Sequence, residues 1–371
     1  MLARAIAGDP PRDLPRELLD DACGQALFGI LAEGLADRFE PALCEVYADL
    51  FAQAIPGADP ARYRRVRVPR PGAIEPRTVF VLSRVTLGAD VAVTSVLLDA
   101  AKQRFPQAKI VFVGPPKNYE LFAADPRIAN AAVTYRRGTL QDRLAVHPDL
   151  EALLAAPDAL VIDSDSRLTQ LGLLPVCPED RYHLFESRAY GGTSDSPLPR
   201  LAAAWAEKTF GIAGAKPYIA LAAEPPNRGA IAVSLGVGEN PAKRLPDPFE
   251  ENLLALLAES GAEIWIDKGA GGEEAARVER AVARSGIRAT FWDGSFAGFA
   301  AIVAAARLYV GYDSAGQHVA AAAGVPLISI FAGFPAPRMF DRWRPAGTVI
   351  RVDNPDPAEV LSRVRARITA A

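Results

Sequence analysis

Residues 78–114 read TVFVLSRVTLGADVAVTSVLLDAAKQRFPQAKIVFVG. The stretch opens on the apolar run Thr78–Leu82, breaks at Ser83–Asp90, continues through VAVTSVLLDAAKQRFP and closes on a second apolar run, Lys109–Gly114. A buried strand, a helix and a second buried strand make a βαβ unit, which requires a parallel sheet.

Reading outward from this unit, the rhythm persists. NYELFAADPRI is expected as a helix, AAVTYR as a strand, HPDLEALLA as a helix and ALVIDSD as a strand. Pro-rich breaks between Phe210 and Arg228 mark a domain crossing. A second alternating series follows, from AIAVSLG through FEENLLALLAESG, EIWIDKG, EEAARVERAVARSG, ATFWDG, FAGFAAIVAAA and LYVGYDS to PLISIF. The expectation is an α/β chain of two Rossmann-like, doubly wound domains facing a cleft. Ahead of them, residues 17–55 carry apolar residues at three-to-four spacing and read as two or three amphipathic helices. The domains expected are a helical extension and linker at 1–70, a first α/β domain at 71–215 and a second at 216–371.

Composition bounds the function. A chain of 371 residues exceeds one ordinary core, and a formal charge of −3 gives no global basic bias toward nucleic acid. Three scattered cysteines without metal-ligand spacing argue against a disulfide framework or a zinc site and fit a reducing cytosol. No signal-peptide core or membrane-spanning run is read. The basic run RYRRVRVPRP, Arg62–Pro71, reads as an extended linker or edge strand, or else as a surface for an anionic partner or membrane.

In open α/β sheets ligands sit beyond the carboxyl ends of the strands, so polar residues there are the candidates. Asp313 and Ser314 follow LYVGY and either cap the next helix or leave its N–H groups to a phosphate, with Ala315 and Gly316 small enough to admit it. His318, one turn on, is either structural or ligand-facing. Lys243 and Arg244 follow a glycine-containing loop, where a lysine suits a diphosphate as a point charge or merely aids solubility; Walker spacing is absent. Glu273 or Glu274 either meets ribose hydroxyls or stabilises its own helix start. Asp90 is either a helix cap or a general base, and no G-x-G-x-x-G follows the first strand.

Four segments together resemble glycosyltransferase family 9, the bacterial ADP-heptose:lipopolysaccharide heptosyltransferases, which have the GT-B fold. They are RVTLGAD, FPQAKIVFVGPPKNYELFAADPRI, AKRLP and YVGYDSAGQHVAAAAGVPLISIF, spanning Thr78 to Phe331. The resemblance implies an inverting, metal-independent transferase without a cofactor. It would move a heptose-like sugar from a nucleotide diphosphate such as ADP-heptose to a saccharide or glycolipid acceptor, at or near the inner membrane face. It assigns Asp90 as catalytic base, Lys243 to phosphate, Glu273 or Glu274 to the nucleoside, and Asp313, Ser314 and His318 to the donor helix. Acceptor contacts fall on Arg84, Asp165 and Arg167, although Asp165 and a neighbouring Ser also read as plain caps of a strand end. Glycines are shifted at Gly88-Ala89 and Ala315-Gly316, Leu245 replaces a tryptophan, and AGFPAP replaces Gly-Pro-Thr. An epimerase, or an inactive relative whose N-terminal helices dock a partner protein, are the alternative readings.

Overall fold

The computed structural model describes residues 1–71, 75–226, 228–238, 240–269 and 271–369. The chain divides into two α/β units, Met1–Tyr119 with Asp125–Pro217 and Pro335–Arg342, and Glu120–Ala124 with Tyr218–Phe334 and Trp343–Ala371. The observed crossing, at Pro217–Tyr218, lies within the Pro-rich segment.

The first unit holds β1 (Thr78–Leu82), β2 (Lys109–Gly114), β3 (Ile128–Ala132), β4 (Ala159–Asp163) and β5 (Tyr182–Leu184). They form a parallel sheet in the order β3-β2-β1-β4-β5. The chain therefore winds outward from β1 to β3, then returns to the other side of β1 at β4. Helices Ser95–Arg104 and Leu198–Phe210 pack together, and the former lies against β1 and β2. Alternate strand residues point the other way. Phe80, Leu82, Val111, Val113, Ala159 and Val161 share one core with Leu27, Leu35, Leu43, Tyr47, Leu50 and Phe51 of the N-terminal helices.

The N-terminal segment thus supplies a layer of the first unit's own core. Helix Pro41–Phe51 starts with proline at its first position, where no N–H bond is lost, and stacks Tyr47 on Phe51 with ring centres 4.5 Å apart. The arginine-rich run differs from its expected extended form, being helical over Pro60–Val66. Asp59 caps it by accepting from the Arg62 N–H at 2.8 Å, and Pro60 begins it. Its charges are met within the unit. Arg64 donates to Glu45 and Asp49, Arg65 pairs with Glu179, Arg67 pairs with Glu186, and Arg62 lies over the Tyr182 ring.

Two expected elements moved. The helix over NYELFAADPRI reduces to Pro116–Tyr119, and the following strand comes earlier, at Ile128–Ala132. Asp125-Pro126 keeps a helix from running through to Ile128, since a residue before proline is pushed out of the helical region.

The second unit holds β6 (Ile231–Ser234), β7 (Ile264–Asp267), β8 (Thr290–Trp292), β9 (Leu308–Tyr312), β10 (Leu327–Phe331) and β11 (Thr348–Arg351). The parallel order is β11-β10-β9-β6-β7-β8. It reverses between β6 and β9. In open α/β sheets such a reversal, at the carboxyl ends of the strands, is where ligands bind.

Candidate functional site

The reversal point of the second unit brings two of the predicted residues into contact. Lys243 leaves β6 by a loop that ends in a single helical turn, Pro241–Lys243, whose cap Asn240 accepts from the Ala242 N–H at 3.0 Å. Asp313 ends β9. The Lys243 ammonium pairs with the Asp313 carboxylate at 2.8 Å and donates to its backbone carbonyl at 3.1 Å.

The helix that follows, Ala315–Ala323, has no side-chain cap among the described residues. Capping, one of the two roles open to Asp313 and Ser314, is therefore not what either does. Asp313 accepts instead from Lys243 and from the Gln317 amide, while the Ser314 hydroxyl lies 3.3 Å from the Tyr309 hydroxyl. The first N–H groups of the helix are left for solvent or an anion, beside a lysine.

Gly316 is small for a reason other than phosphate approach. A Cβ there would fall 2.5 Å from the Tyr309 hydroxyl oxygen, so the buried tyrosine beneath the helix demands glycine. Ala315 is half-buried at the first helical position. His318 is buried beside Gln317, its ring edge-on to Trp343 at 5.9 Å. Burial lowers its pKa to about 4; Asp313 opposes this and Lys243 reinforces it, so the ring is neutral near pH 7.

The remaining second-unit candidates separate. Arg244 pairs with Glu250 and Asp247. Glu273 is exposed in the first turn of helix Gly272–Ser285. Glu274 reaches the loop after β6, accepting from the Val237 N–H at 3.4 Å, and a Cβ on Gly236 would lie 3.1 Å from it. Of the two glutamates, Glu274 is the one the fold brings to the loop.

In the first unit the analogous reversal lies between β1 and β4, and it gathers Asp90, Arg84 and Asp165. Asp90 has no exposed surface. Its two oxygens accept from the Ser83 hydroxyl at 2.7 Å, the Arg84 N–H at 2.8 Å, the Thr94 hydroxyl at 2.6 Å and the Asn118 amide at 2.6 Å. Burial raises its pKa, and the four donors pull it back. The arrangement ties the loop after β1 to the widened helical turn Asp90–Thr94 and to Asn118.

Arg84 is equally enclosed. It donates to the Ser164 carbonyl at 2.6 Å and to the Ser187 hydroxyl at 2.7 Å, and burial lowers its pKa to about 10. Asp165 accepts from Ser187 at 2.7 Å and pairs with Arg188 at 2.9 Å. Val85 and Asp165 both hold positive φ, 58° and 69°, which non-glycine residues seldom adopt. Arg167 stands apart, paired with Glu33 of the N-terminal helices at 2.9 Å.

Several residues of these clusters escaped sequence reading. Ser187 and Arg188 follow β5, a strand of three residues too short to register as one. Asn240 and Gly333 hold the Lys243 loop: Asn240 donates to the Gly333 carbonyl at 3.2 Å, and Gly333 packs on Ala242. The Asn-Pro pair was a usable turn signal.

Known proteins bear on this geometry. Residues 182–363 match the family model described as glycosyltransferase family 9 (heptosyltransferase). Among solved structures, the E. coli heptosyltransferase WaaC with ADP is similar at 19% identity, covering 79% of this chain and 99% of that one, with a TM-score of 0.60. A family 9 glycosyltransferase from Veillonella parvula DSM 2008 is similar at 15% identity over 79% and 91%, with a TM-score of 0.56. E. coli ADP-heptose lps heptosyltransferase II is similar at 18% identity over 79% and 99%, with a TM-score of 0.52. These likenesses show a two-domain α/β fold of the GT-B kind. No curated protein matches the chain.

Proposed function

We propose that the chain, whose residues 182–363 match the glycosyltransferase family 9 (heptosyltransferase) model, is an inverting, metal-independent nucleotide-sugar transferase of a heptose-like sugar. The donor is an ADP-heptose or a close relative, as in the solved WaaC complex with ADP-2-deoxy-2-fluoro heptose. The acceptor is a saccharide or glycolipid hydroxyl of the kind used in lipopolysaccharide assembly.

One observation carries this reading. A lysine held by Asp313 stands beside a helix start that no side chain caps. As the glycosidic bond to phosphate breaks, negative charge collects on the leaving diphosphate. Lys243 and the N–H groups of Ser314 to Gly316 supply fixed positive charge to meet it, which is how preorganised electrostatics lowers a barrier. Glu274 is assigned to the ribose.

On the first unit, the acceptor is assigned to the loops after β1 and β4. Arg84 and Asp165 lock these loops from beneath, and Arg167 is the more accessible contact, its side chain 22% exposed. Asp90 is the proposed base. All of its acceptor capacity is used in the described arrangement, so taking a proton requires the acceptor hydroxyl to replace the Ser83 or Asn118 donor.

Calorimetric titration of ADP, UDP, GDP, CDP and dTDP, with chelator present, tests the donor site. Binding of one diphosphate in the micromolar range, weakened roughly tenfold or more by Lys243→Ala, is the expected result. A folded protein that binds none of them sinks the reading. Conversion of the nucleotide sugar to an isomeric nucleotide sugar with no acceptor present would instead point to an epimerase.

A further inference from the structure

Three buried polar side chains stand behind Lys243 in the second unit. Gln317 and Ser329 have no exposed surface and Asp313 has 6%. The Ser329 hydroxyl donates to the Gln317 side-chain carbonyl, and the Gln317 amide donates to the Asp313 oxygen that does not hold Lys243. The same amide nitrogen lies 3.3 Å from His318 Nε2.

This chain of contacts has a cost that local structure does not explain. Ser329 occupies the middle of β10, LISIF, flanked by Ile328 and Ile330 in a fully buried strand. An apolar residue there would need no partner, whereas a hydroxyl must find one. Gln317 lies on the buried face of helix Ala315–Ala323. Each of these two polar groups is satisfied through the other, and the series ends at the carboxylate that holds the lysine.

The geometry assigns Gln317 and Ser329 as positioning residues for the donor diphosphate, a role that rests on the donor-site reading above. Gln317 fixes the carboxylate plane of Asp313, with one oxygen committed to the amide and the other to Lys243. Two of the three ammonium N–H donors of Lys243 are met by Asp313, at its carboxylate and its carbonyl. Among the described residues this leaves the third for a phosphate oxygen. If Asp313 turns, the ammonium turns with it. Ser329 sets the rotamer of Gln317, and β10 is paired with β9, Ser329 opposite Gly311, two residues before Asp313. The strand register itself therefore sets the lysine's aim.

The test is a cycle of binding measurements on the full chain, with ADP and AMP as probes. Gln317→Leu and Ser329→Ala are titrated alone, and each is also combined with Lys243→Ala. A positioning role predicts that Gln317→Leu weakens ADP roughly tenfold, and Ser329→Ala less, while AMP affinity stays within about twofold. It also predicts that neither adds to the loss already caused by Lys243→Ala, because residues acting through one another are not additive. Equal weakening of ADP and AMP, additive losses, or unchanged ADP affinity in both variants would overturn it. Ser329→Ala removes only one oxygen and serves if Gln317→Leu does not fold. A wild type that binds no diphosphate refutes the donor site itself; a wild type sensitive to Lys243→Ala but not to these variants refutes only the positioning role.

Discussion

Gly333 stands at φ 66° against the backbone of Ala242, so close that a Cβ would fall 2.4 Å from the Ala242 carbonyl carbon and 2.6 Å from the Lys243 nitrogen. The loop after β10 thereby forms the floor on which the Lys243 turn rests. Gly333→Ala has no flexible side chain to push aside, and its own backbone is strained in that region. The expected outcome is a fall in ADP affinity of roughly tenfold or more, with a loss of about 1–3 kcal/mol in urea stability. Full affinity in Gly333→Ala would show that the Lys243 loop is set by other contacts.

Asp90 permits two roles to be separated. Asp90→Asn puts an amide N–H₂ among four donors, so at least one donor loses its acceptor inside the protein. Stability should fall by about 1–3 kcal/mol. If Asp90 is also the base, kcat falls on the order of 10²-fold while ADP affinity is unchanged. Thermal melts, titration and turnover on the same preparation distinguish these. A stable Asp90→Asn variant with normal turnover would remove both roles.

The N-terminal helices should behave as part of the first unit and not as a detachable module. Phe51 is fully buried, stacked on Tyr47 and 6.1 Å from Phe28, in the core shared with β1, β2 and β4. Phe51→Ala is expected to cost about 3–5 kcal/mol, and to expose the first sheet to protease together with the helices. Cleavage confined to residues 1–70 would contradict a shared core.

His318 makes acid stability predictable in sign. Its folded pKa, about 4, lies below the usual histidine value of 6.5. The unfolded chain therefore takes up this proton first as pH falls. The stability due to the neutral ring is complete above pH 6.5 and is lost progressively down to pH 4, with a slope of up to ~1.4 kcal/mol per pH unit. His183, also lowered to about 4 by burial, adds in the same direction. Urea unfolding across pH 4–7 should be less pH-dependent in His318→Gln than in the wild type. Parallel curves would mean that the ring is not held neutral.

How far the fold was legible follows from which signals are local. Apolar runs broken by Gly, Pro and Asp announced β1, β2, β4, β6, β9 and β10, because a strand buried on both faces must be apolar along its length; the half-buried β7 and β8 were read from EIWIDKG and ATFWDG. β5 and β11 were not read: a strand of three residues, Tyr182–Leu184, carries too short a pattern. The arginine-rich run misled because its charge pattern suggested a connector, whereas its neutralising partners, Glu45, Asp49, Glu179 and Glu186, come from other elements.

The sequence by itself determined that the chain is a pair of parallel α/β units, and that Lys243, Asp313 and Asp90 lie just past strand ends. Those conclusions depend on residues near one another in the chain. Only the tertiary structure decided what each touches. Lys243 and Asp313, 70 residues apart, meet because β6 and β9 are neighbours at the reversal of sheet order. Gln317 and Ser329 acquire a purpose only when β10 is laid beside β9, and Gly316 is explained by Tyr309 beneath it. The N-terminal helices, similarly, look like an appendage in sequence and become a core layer once the sheet has a face for them to cover. Strand order and packing are contacts between distant residues, which periodicity cannot encode.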